Sequence, residues 1–278
     1  MTFMRTLSPF RYPGGKYSLR YLIRDLIEEK GNVDFFVEPF AGGAGISLWL
    51  IQNNFVKKVK INDFDTLIYL VWKTILYTPY NIIKRIEETD INLENWEIQK
   101  KILKDEHKFE KFSELDLGFA AFFVNRCSRS GMITNRVGPI GGKKQLSEWK
   151  IDARFNKREL IKKIEMLSNF SDRIEISNED AVVMLNKLVT PVDNTLVYID
   201  PPYFKQGPEL YRQYFEKSDH LRLAEYLQNG FEYQWIVSYD NNDFITEIYK
   251  HQTIEKINLF HRAQKQHIGE ELIIQRKK

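Results

Sequence analysis

Residues 196–203 read Leu196-Val197-Tyr198-Ile199-Asp200-Pro201-Pro202-Tyr203. The first four form a short apolar run without alternation, the pattern of a strand buried on both faces of a parallel sheet. The two prolines cannot donate to a sheet ladder, so the strand ends there. An acid, two rigid residues and an aromatic ring therefore stand at the carboxyl end of a strand. Open α/β sheets bind their ligands at that edge. Taken alone, the tetrapeptide is equally a strand-ending turn in which Asp and Pro do ordinary turn chemistry.

Other strand ends carry similar punctuation. Asp34 to Phe40 reads as a first strand, followed by Ala41-Gly42-Gly43-Ala44-Gly45 and a helix from Ile46 to Gln52. Glycines in that loop let a ligand approach the backbone, and the helix N-terminus adds a partial positive charge. A dinucleotide fingerprint would need Gly or Ala at position 48, where Leu48 stands, which argues against a pyrophosphate cofactor. Val56 to Ile61 is a second strand ending in Asn62-Asp63-Phe64-Asp65. An acid there is where doubly wound folds hold a ribose, with Asp63 the first choice and Asp65 the spare or a helix cap. Arg173 to Ser177 repeats the pattern and leads to Asp180, which suits a ligand or the cap of a helix from Ala181. A helix at Asp219 to Leu227 and strands at Gln234 to Tyr239, Thr253 to Leu259 and Leu272 to Gln275 close the sheet. Near the start, Pro13-Gly14-Gly15-Lys16 reads as a loop feeding a helix, able to present backbone N–H groups and one cation to an anion. It lacks the spacing of a P-loop.

The bulk properties narrow the class. Of 278 residues, 43% are hydrophobic and 14% aromatic, enough for a substantial core and unlike a disordered chain. The net charge is only +3, but residues 126–163 hold eleven Lys or Arg against three Asp or Glu, a local +8. Such a concentration suits a polyanion, although an ordinary solvated basic face looks the same. The lone Cys127 forms no internal disulfide and there is no zinc spacing. The first fifteen residues lack a signal-peptide core, and the apolar stretch Leu67 to Tyr77 is too short for a bilayer and contains Lys73. A soluble cytoplasmic protein is expected. Thr78 to Phe123 has helical periodicity, with Leu93, Trp96, Ile98, Ile102 and Leu103 on an apolar stripe. It breaks the strand–helix alternation and reads as an insertion. Asn125 to Lys150 then mixes glycines with Arg126, Arg129, Arg136, Lys143 and Lys144, a loop or hairpin presenting basic side chains.

Taken in order, Pro13-Gly14-Gly15-Lys16, Glu38-Pro39-Phe40-Ala41-Gly42-Gly43-Ala44-Gly45, Asn62-Asp63, Asp180 and Asp200-Pro201-Pro202-Tyr203 resemble the Dam-type adenine-specific DNA methyltransferases. The resemblance spans nearly the whole chain, including Asp219-His220 and Gly269-Glu270-Glu271-Leu272-Ile273. It implies an α/β, Rossmann-like S-adenosylmethionine-dependent methyltransferase fold with a mostly helical inserted target-recognition domain. The catalytic domain would comprise 1–78 and 155–278, and the insertion 79–154. S-adenosylmethionine would be held by Tyr12, Lys16, Glu38, Pro39, Phe40, Ala41, Gly42, Gly43 and Gly45, with Asp63 on the ribose and Asp180 on the adenine amine. Asp200, Pro201, Pro202 and Tyr203 would hold the target base. Double-stranded DNA would be the partner, contacted by Arg126, Arg129, Ser130, Met132, Arg136, Lys143 and Lys144. A cognate restriction endonuclease and a monomeric state are further expectations.

The residue types suit that chemistry. An adenine exocyclic amine is a poor nucleophile because its lone pair is delocalised into the ring. Asp200 and the Pro201 carbonyl can accept its two N–H hydrogens and favour a more tetrahedral nitrogen. Tyr203 can stack on a base that has left the duplex. No metal and no covalent intermediate are required. The resemblance departs at Thr134, which stands where GATC enzymes carry a base-reading Arg, so GATC specificity does not carry over. Arg129 and Arg136 are left as readers of another base or holders of phosphate. Two rival readings remain: the same fold acting on cytosine N4 or an RNA base, and a non-catalytic DNA-binding module. Asp rather than Ser at position 200 leans toward adenine.

Overall fold

The computed structural model describes residues 6–12, 15–104, 106–134, 137–204, 212–261 and 267–277, with no side-chain account of 259–261, 267 and 268. A short 3-10 turn at Tyr17–Leu19 leads into α1 (Arg20–Lys30). There follow β1 (Phe35–Glu38), α2 (Gly45–Gln52), β2 (Lys58–Asn62), α3 (Thr66–Tyr77), α4 (Pro79–Glu88), α5 (Leu93–Ile102), α6 (Glu114–Cys127) and α7 (Lys157–Ser168). The chain continues with β3 (Ile174–Ser177), α8 (Ala181–Asn186), β4 (Thr195–Ile199), α9 (Lys217–Gln228), β5 (Gln234–Asp240), α10 (Asp243–Ile248), β6 (Thr253–His261) and β7 (His267–Gln275). These elements form two compact units, one of residues 15–64 with 173–277 and the other of 6–12 with 65–172.

The first unit holds a seven-stranded sheet in the order β3-β2-β1-β4-β5-β7-β6. β3 through β5 run parallel, and β7 is antiparallel to both β5 and β6. Every residue of β4 is buried, as a strand covered on both faces requires. The strand order reverses between β1 and β4, so their carboxyl ends bound the crevice where doubly wound sheets bind ligands. On one face, Val37, Val197, Ile199, Trp235, Val237, Leu272 and Ile274 pack against Met184 and Leu185 of α8, Leu223 and Leu227 of α9 and Ile245 of α10. Phe36 and Tyr198 lie one residue out of step with Val37 and Val197 and therefore on the opposite face, their ring centroids 6.3 Å apart. No described helix is long and apolar enough to cross a membrane.

The second unit is helical and includes α3 and α7. Asp65 is the cap of α3, its side chain accepting the Leu67 N–H at 2.9 Å. Ser113 and Asp116 form a reciprocal capping box at the start of α6. α6 is buried on nearly every side from Leu117 to Asn125, the mark of a central helix rather than a surface one. Phe155 wedges between Phe122 and Phe123, with centroids 5.8 and 5.2 Å away. The close crossing of α3 and α6 depends on Gly118: a Cβ there would lie 2.7 Å from Thr74 Cγ2 and 2.8 Å from the Leu70 carbonyl oxygen. Backbone cannot yield as a side-chain tip can. Gly118→Val is therefore expected to destabilise this unit by about 3 kcal/mol. A thermal melt matching that of the wild type would disprove this close-packing account.

Candidate active site

Strand alternation assembles a carboxylate cluster at the carboxyl edge of the sheet. Side chains on a strand alternate between faces, and registered neighbours share a face. Phe36 pairs with Leu196 and Val37 with Val197 on β1 and β4. Ile199 pairs with Val237 on β4 and β5. Ser238 pairs with Ile273, and Asp240 with Glu271, on β5 and β7. Continuing these registers puts Glu38, Asp200, Ser238 and Glu271 on the same face at the ends of four neighbouring strands. Motifs separated by more than 200 residues of chain thus meet at the switch point.

Lys16 enters this cluster. Its ammonium donates to the Tyr203 hydroxyl at 2.7 Å and lies 3.3 Å from Asp200 Oδ1 and 3.5 Å from Glu271 Oε1. The Tyr203 hydroxyl in turn donates to Glu271 Oε1 at 3.0 Å. Lys16, Tyr203 and Glu271 are all buried, whereas the Asp200 side chain keeps 19% of its exposure. Ser238 Oγ donates to Asp200 Oδ1 at 2.7 Å and shares a 2.8 Å hydrogen bond with the Tyr198 hydroxyl. Pro201 is buried and Pro202 half-buried. The Phe204 backbone N–H donates to Asp240 Oδ1 at 3.1 Å. The aromatic ring of the tetrapeptide is therefore clamped by its hydroxyl, a fixed plane rather than a swinging side chain.

Burial sets the protonation balance. It pushes the Glu38 carboxyl up to about 8, against the hydrogen bond from Ser47 Oγ, which reaches Oε2 at 2.5 Å. Burial likewise pushes Glu271 up to about 7, opposed by the Lys16 ammonium. Asp200 is also raised by burial, with Lys16 and then Ser238 holding it back. Charged forms are disfavoured without water, so these carboxyls gain from any cation brought among them.

The loop after β1 is fixed by the end of β2. Gly42 adopts φ 44°, and its N–H donates to Asp63 Oδ2 at 2.9 Å. Ala44 is also left-handed, at φ 46°. Asn62 is the buried junction. Its amide nitrogen donates to the carbonyls of Pro39 at 2.9 Å and Glu179 at 3.0 Å. Its amide oxygen accepts from Ser177 Oγ at 2.9 Å and the Glu179 N–H at 3.0 Å. One side chain thereby ties together the loops after β1, β2 and β3. Gly45 stands at the start of α2, where a Cβ would come 3.3 Å from the Tyr17 ring. Pro39 and Ala41 are buried, Phe40 and Gly43 half-buried, and Phe40 meets Phe215 edge-on at 5.4 Å. Phe64, beside Asp63, is 56% exposed. Asp180 caps α8, its Oδ1 accepting the N–H groups of Val182 and Val183 at 3.1 and 3.2 Å, while Oδ2 pairs with Arg222 at 2.5 Å.

Residues 12–263 match the family model described as D12 class N6 adenine-specific DNA methyltransferase. The chain belongs to that family. The protein is a DNA adenine methyltransferase. A relative of Methanocaldococcus jannaschii, the Type II methyltransferase M.MjaIII, is 24% identical, the match covering 90% of this chain and 91% of the relative. Among solved structures, a precorrin 8W decarboxylase of Methanobacterium thermoautotrophicum gives a TM-score of 0.39 at 12% identity, covering 97% of each chain. M. capricolum TrmK in complex with S-adenosylhomocysteine gives 0.38 at 11% identity, covering 93% of this chain and 69% of the other.

The helical unit of the methyltransferase carries the basic segment. Arg126, expected among the DNA contacts, is half-buried: Nη1 donates to the Pro9 carbonyl at 3.4 Å and Nη2 to the Arg154 carbonyl. Its Nε is buried, and burial, with Arg11 nearby, lowers its pKa to about 10. Carbonyls outside regular structure need donors, and a long cation supplies them. Arg11, not singled out by sequence, does the same, donating to the carbonyls of Ser128 at 2.7 Å and Arg129 at 3.0 Å. Asn125 accepts the Arg11 N–H at 2.9 Å and donates to its carbonyl at 2.6 Å. Gly131, at φ +74°, lies so close that a Cβ would meet Arg11 Cβ at 2.8 Å. Tyr12 belongs to this unit, its ring 6.5 Å from that of Phe10. Arg129, Lys143 and Lys144 are exposed, and Ser130 and Met132 half-buried. Arg136 lies outside the described residues, as do Pro13 and Gly14. Cys127 is buried and its thiol is pushed up to about 12, which makes it no nucleophile.

The loop after Arg129 exposes two apolar side chains that sequence reading passed over. Gln145 folds it: Nε2 donates to the carbonyls of Ile140 and Gly142, both at 2.7 Å, and Oε1 accepts the Ile151 N–H at 2.9 Å. Leu146 is left 81% exposed and Trp149 63% exposed, among Lys143, Lys144 and Lys150. A loop tied on its own amide pays little entropy to hold such side chains out.

Proposed function

We propose that this methyltransferase flips an adenine out of a short, specific double-stranded DNA sequence and methylates N6 by direct in-line transfer. The observation that carries this reading is Asp200: a buried-edge carboxylate at the switch point, its Oδ1 held by Ser238 and Lys16, beside a fixed Tyr203 ring. S-adenosylmethionine supplies an electrophilic methyl on a sulfonium. Its cationic character suits a cluster in which Glu38, Asp63, Asp200 and Glu271 surround the loop after β1 and the Lys16 ammonium. Gly42 and Gly43 would line its methionine portion and Asp63 its ribose. Phe64 offers an exposed ring for its adenine, and Asp180 would meet the adenine amine through the oxygen now shared with Arg222. Asp200 accepts an N–H of the target amine, with the Pro201 carbonyl beside it, and Tyr203 stacks on the base. The N–C bond would form as the sulfonium's C–S bond breaks, the neutral thioether S-adenosylhomocysteine would leave, and the proton shed by nitrogen would pass to solvent, so no enzyme nucleophile is required.

The exposed basic loop supports DNA binding by the helical unit. Lys143 and Lys144 would hold phosphate, and Trp149 with Leu146 would contact bases or sugars. Charge and stacking separate by salt. Lys143→Ala and Lys144→Ala are each expected to flatten the log–log salt dependence of DNA affinity by about 0.9. Trp149→Ala should weaken affinity about 10-fold with the slope unchanged. Equal slopes in all three variants would remove this loop from the interface. The Type II designation of the archaeal relative supports a cognate endonuclease of the same specificity for this chain.

Mapping modified bases across DNA from cells expressing the chain tests the whole reading. One short motif carrying N6-methyladenine is expected. N4-methylcytosine, or methyl groups in RNA alone, would replace it with a rival acceptor.

A further inference from the structure

Ser238 is an anomaly of β5. It is fully buried within the run Trp235, Ile236, Val237, Tyr239, and a buried hydroxyl there costs free energy unless both its proton and its lone pairs are used. Both are used. Its Oγ lies 2.7 Å from Asp200 Oδ1 and 2.8 Å from the hydroxyl of Tyr198, which is equally buried. The strand geometry makes this contact inevitable. Tyr198 and Asp200 are two residues apart and face the same way, and the pairing of Ile199 with Val237 sets Ser238 beside Asp200.

The direction of the hydrogen bonds follows from donor count. An ionised carboxylate only accepts, so the single Ser238 proton goes to Asp200. Ser238 Oγ must then accept from Tyr198, whose phenol is held neutral by burial. Lys16 approaches the same Oδ1 at 3.3 Å. Among the described residues no hydrogen bond reaches Oδ2, and the Asp200 side chain is 19% exposed.

We propose that Ser238 and Tyr198 are positioning residues for the methyl-transfer step: a one-way chain from Tyr198 through Ser238 to Asp200 Oδ1 orients the carboxylate and reserves Oδ2 for the target amine. The inference rests on the functional reading above, in which Asp200 accepts that amine. Lys16 alone is a poor orienter, because its ammonium also serves Tyr203 and Glu271. The titratable groups facing Asp200 are Lys16, Glu38, Tyr198, Tyr203, Tyr239 and Glu271. Of its neighbours, Lys16 and Ser238 favour its ionised form. Losing Ser238 therefore makes Asp200 both less fixed and easier to protonate.

The test is single-turnover methyl transfer to duplex DNA, with donor affinity by titration and a pH profile from 5.5 to 9. Ser238→Ala is expected to slow transfer about 10- to 100-fold, the loss of one hydrogen bond to a charged group. Its donor affinity should stay within about twofold, and the acid limb should move up by about one pH unit. Tyr198→Phe keeps the ring and its packing, so it serves as the variant least exposed to misfolding. It should slow transfer less, and the double variant should be no slower than Ser238→Ala alone, since both act through one chain. A general packing role moves neither the pH limb nor the additivity. Folded single variants with wild-type rates, or additive losses without a pH shift, overturn the proposal while leaving the methyltransferase reading standing. A wild-type chain that methylates no adenine overturns both.

Discussion

Asp200→Ala is expected to lower methyl transfer by about 10³-fold while the donor binds within about threefold of its wild-type affinity. In the proposed reaction Asp200 would be the acceptor at the point where positive charge develops on the attacking nitrogen. Preorganised groups in such positions account for a large share of rate, and alanine would leave only the Pro201 carbonyl to accept from the amine. Donor affinity should survive because the groups assigned to the donor, the loop at Gly42, Asp63 and Asp180, are held by Asn62 and by the start of α8, not by Asp200. Asp200→Asn, which keeps one carbonyl acceptor and the hydrogen bond from Ser238, should be less impaired than alanine. Single-turnover rates and calorimetric titration with S-adenosylhomocysteine decide the matter. An alanine variant with normal turnover would remove Asp200 from the chemistry, and one that no longer binds the donor would make it a donor ligand instead.

Lys16→Met should be the largest stability defect among single changes in the sheet unit. Lys16 is the buried cation of a cluster containing Asp200 and Glu271. Breaking a buried charge pair by removing one member costs about 3–5 kcal/mol, because the other charges stay buried without it. The size of the defect depends on pH with a definite sign. Glu271 has its folded pKa raised to about 7, above its ordinary value, and burial is the cause. A raised carboxyl contributes stability that is complete below its unfolded pKa and is lost as pH climbs through the folded one. In the wild type Lys16 limits that loss. Without Lys16 the folded pKa rises further, so the variant should be penalised most at pH 8 and least at pH 6, where Glu271 takes up a proton. Urea unfolding at the two pH values measures this. Equal penalties at both would mean that Lys16 contributes by packing its stem and not by its charge.

Much of the sheet unit was legible because its signals are local. A continuous apolar run, two prolines and an acid mark the end of β4 within eight residues. The loop Ala41 to Gly45 declares its left-handed backbone through its glycines, although Ala44 shares that conformation without declaring it. Asp65 and Asp180 each had two readings, and in both the helix-capping geometry is present. Capping is decided by the next three residues, so it is also written locally. The basic segment was legible as charge but not as contact. Arg126 and Arg129 are alike in sequence, yet one guanidinium is spent on backbone carbonyls and the other is exposed.

What the chain determines by itself is the set of strand ends and the acids placed on them, since turn chemistry, strand burial and periodicity are encoded over a few residues. Which strand ends become neighbours was decided only by the tertiary structure. Ser238 carries no local mark of a site and Glu271 was not among the site candidates, and they join Asp200 because β7 turns back beside β5 and β5 lies beside β4. The same holds for Lys16, which reaches Tyr203 across 187 residues of chain, and for Trp149, apolar in sequence but left in solvent by the fold around Gln145. The physical reason is common to them all. Hydrogen-bond partners and burial are properties of surfaces brought together from distant segments, and no window of sequence contains both surfaces.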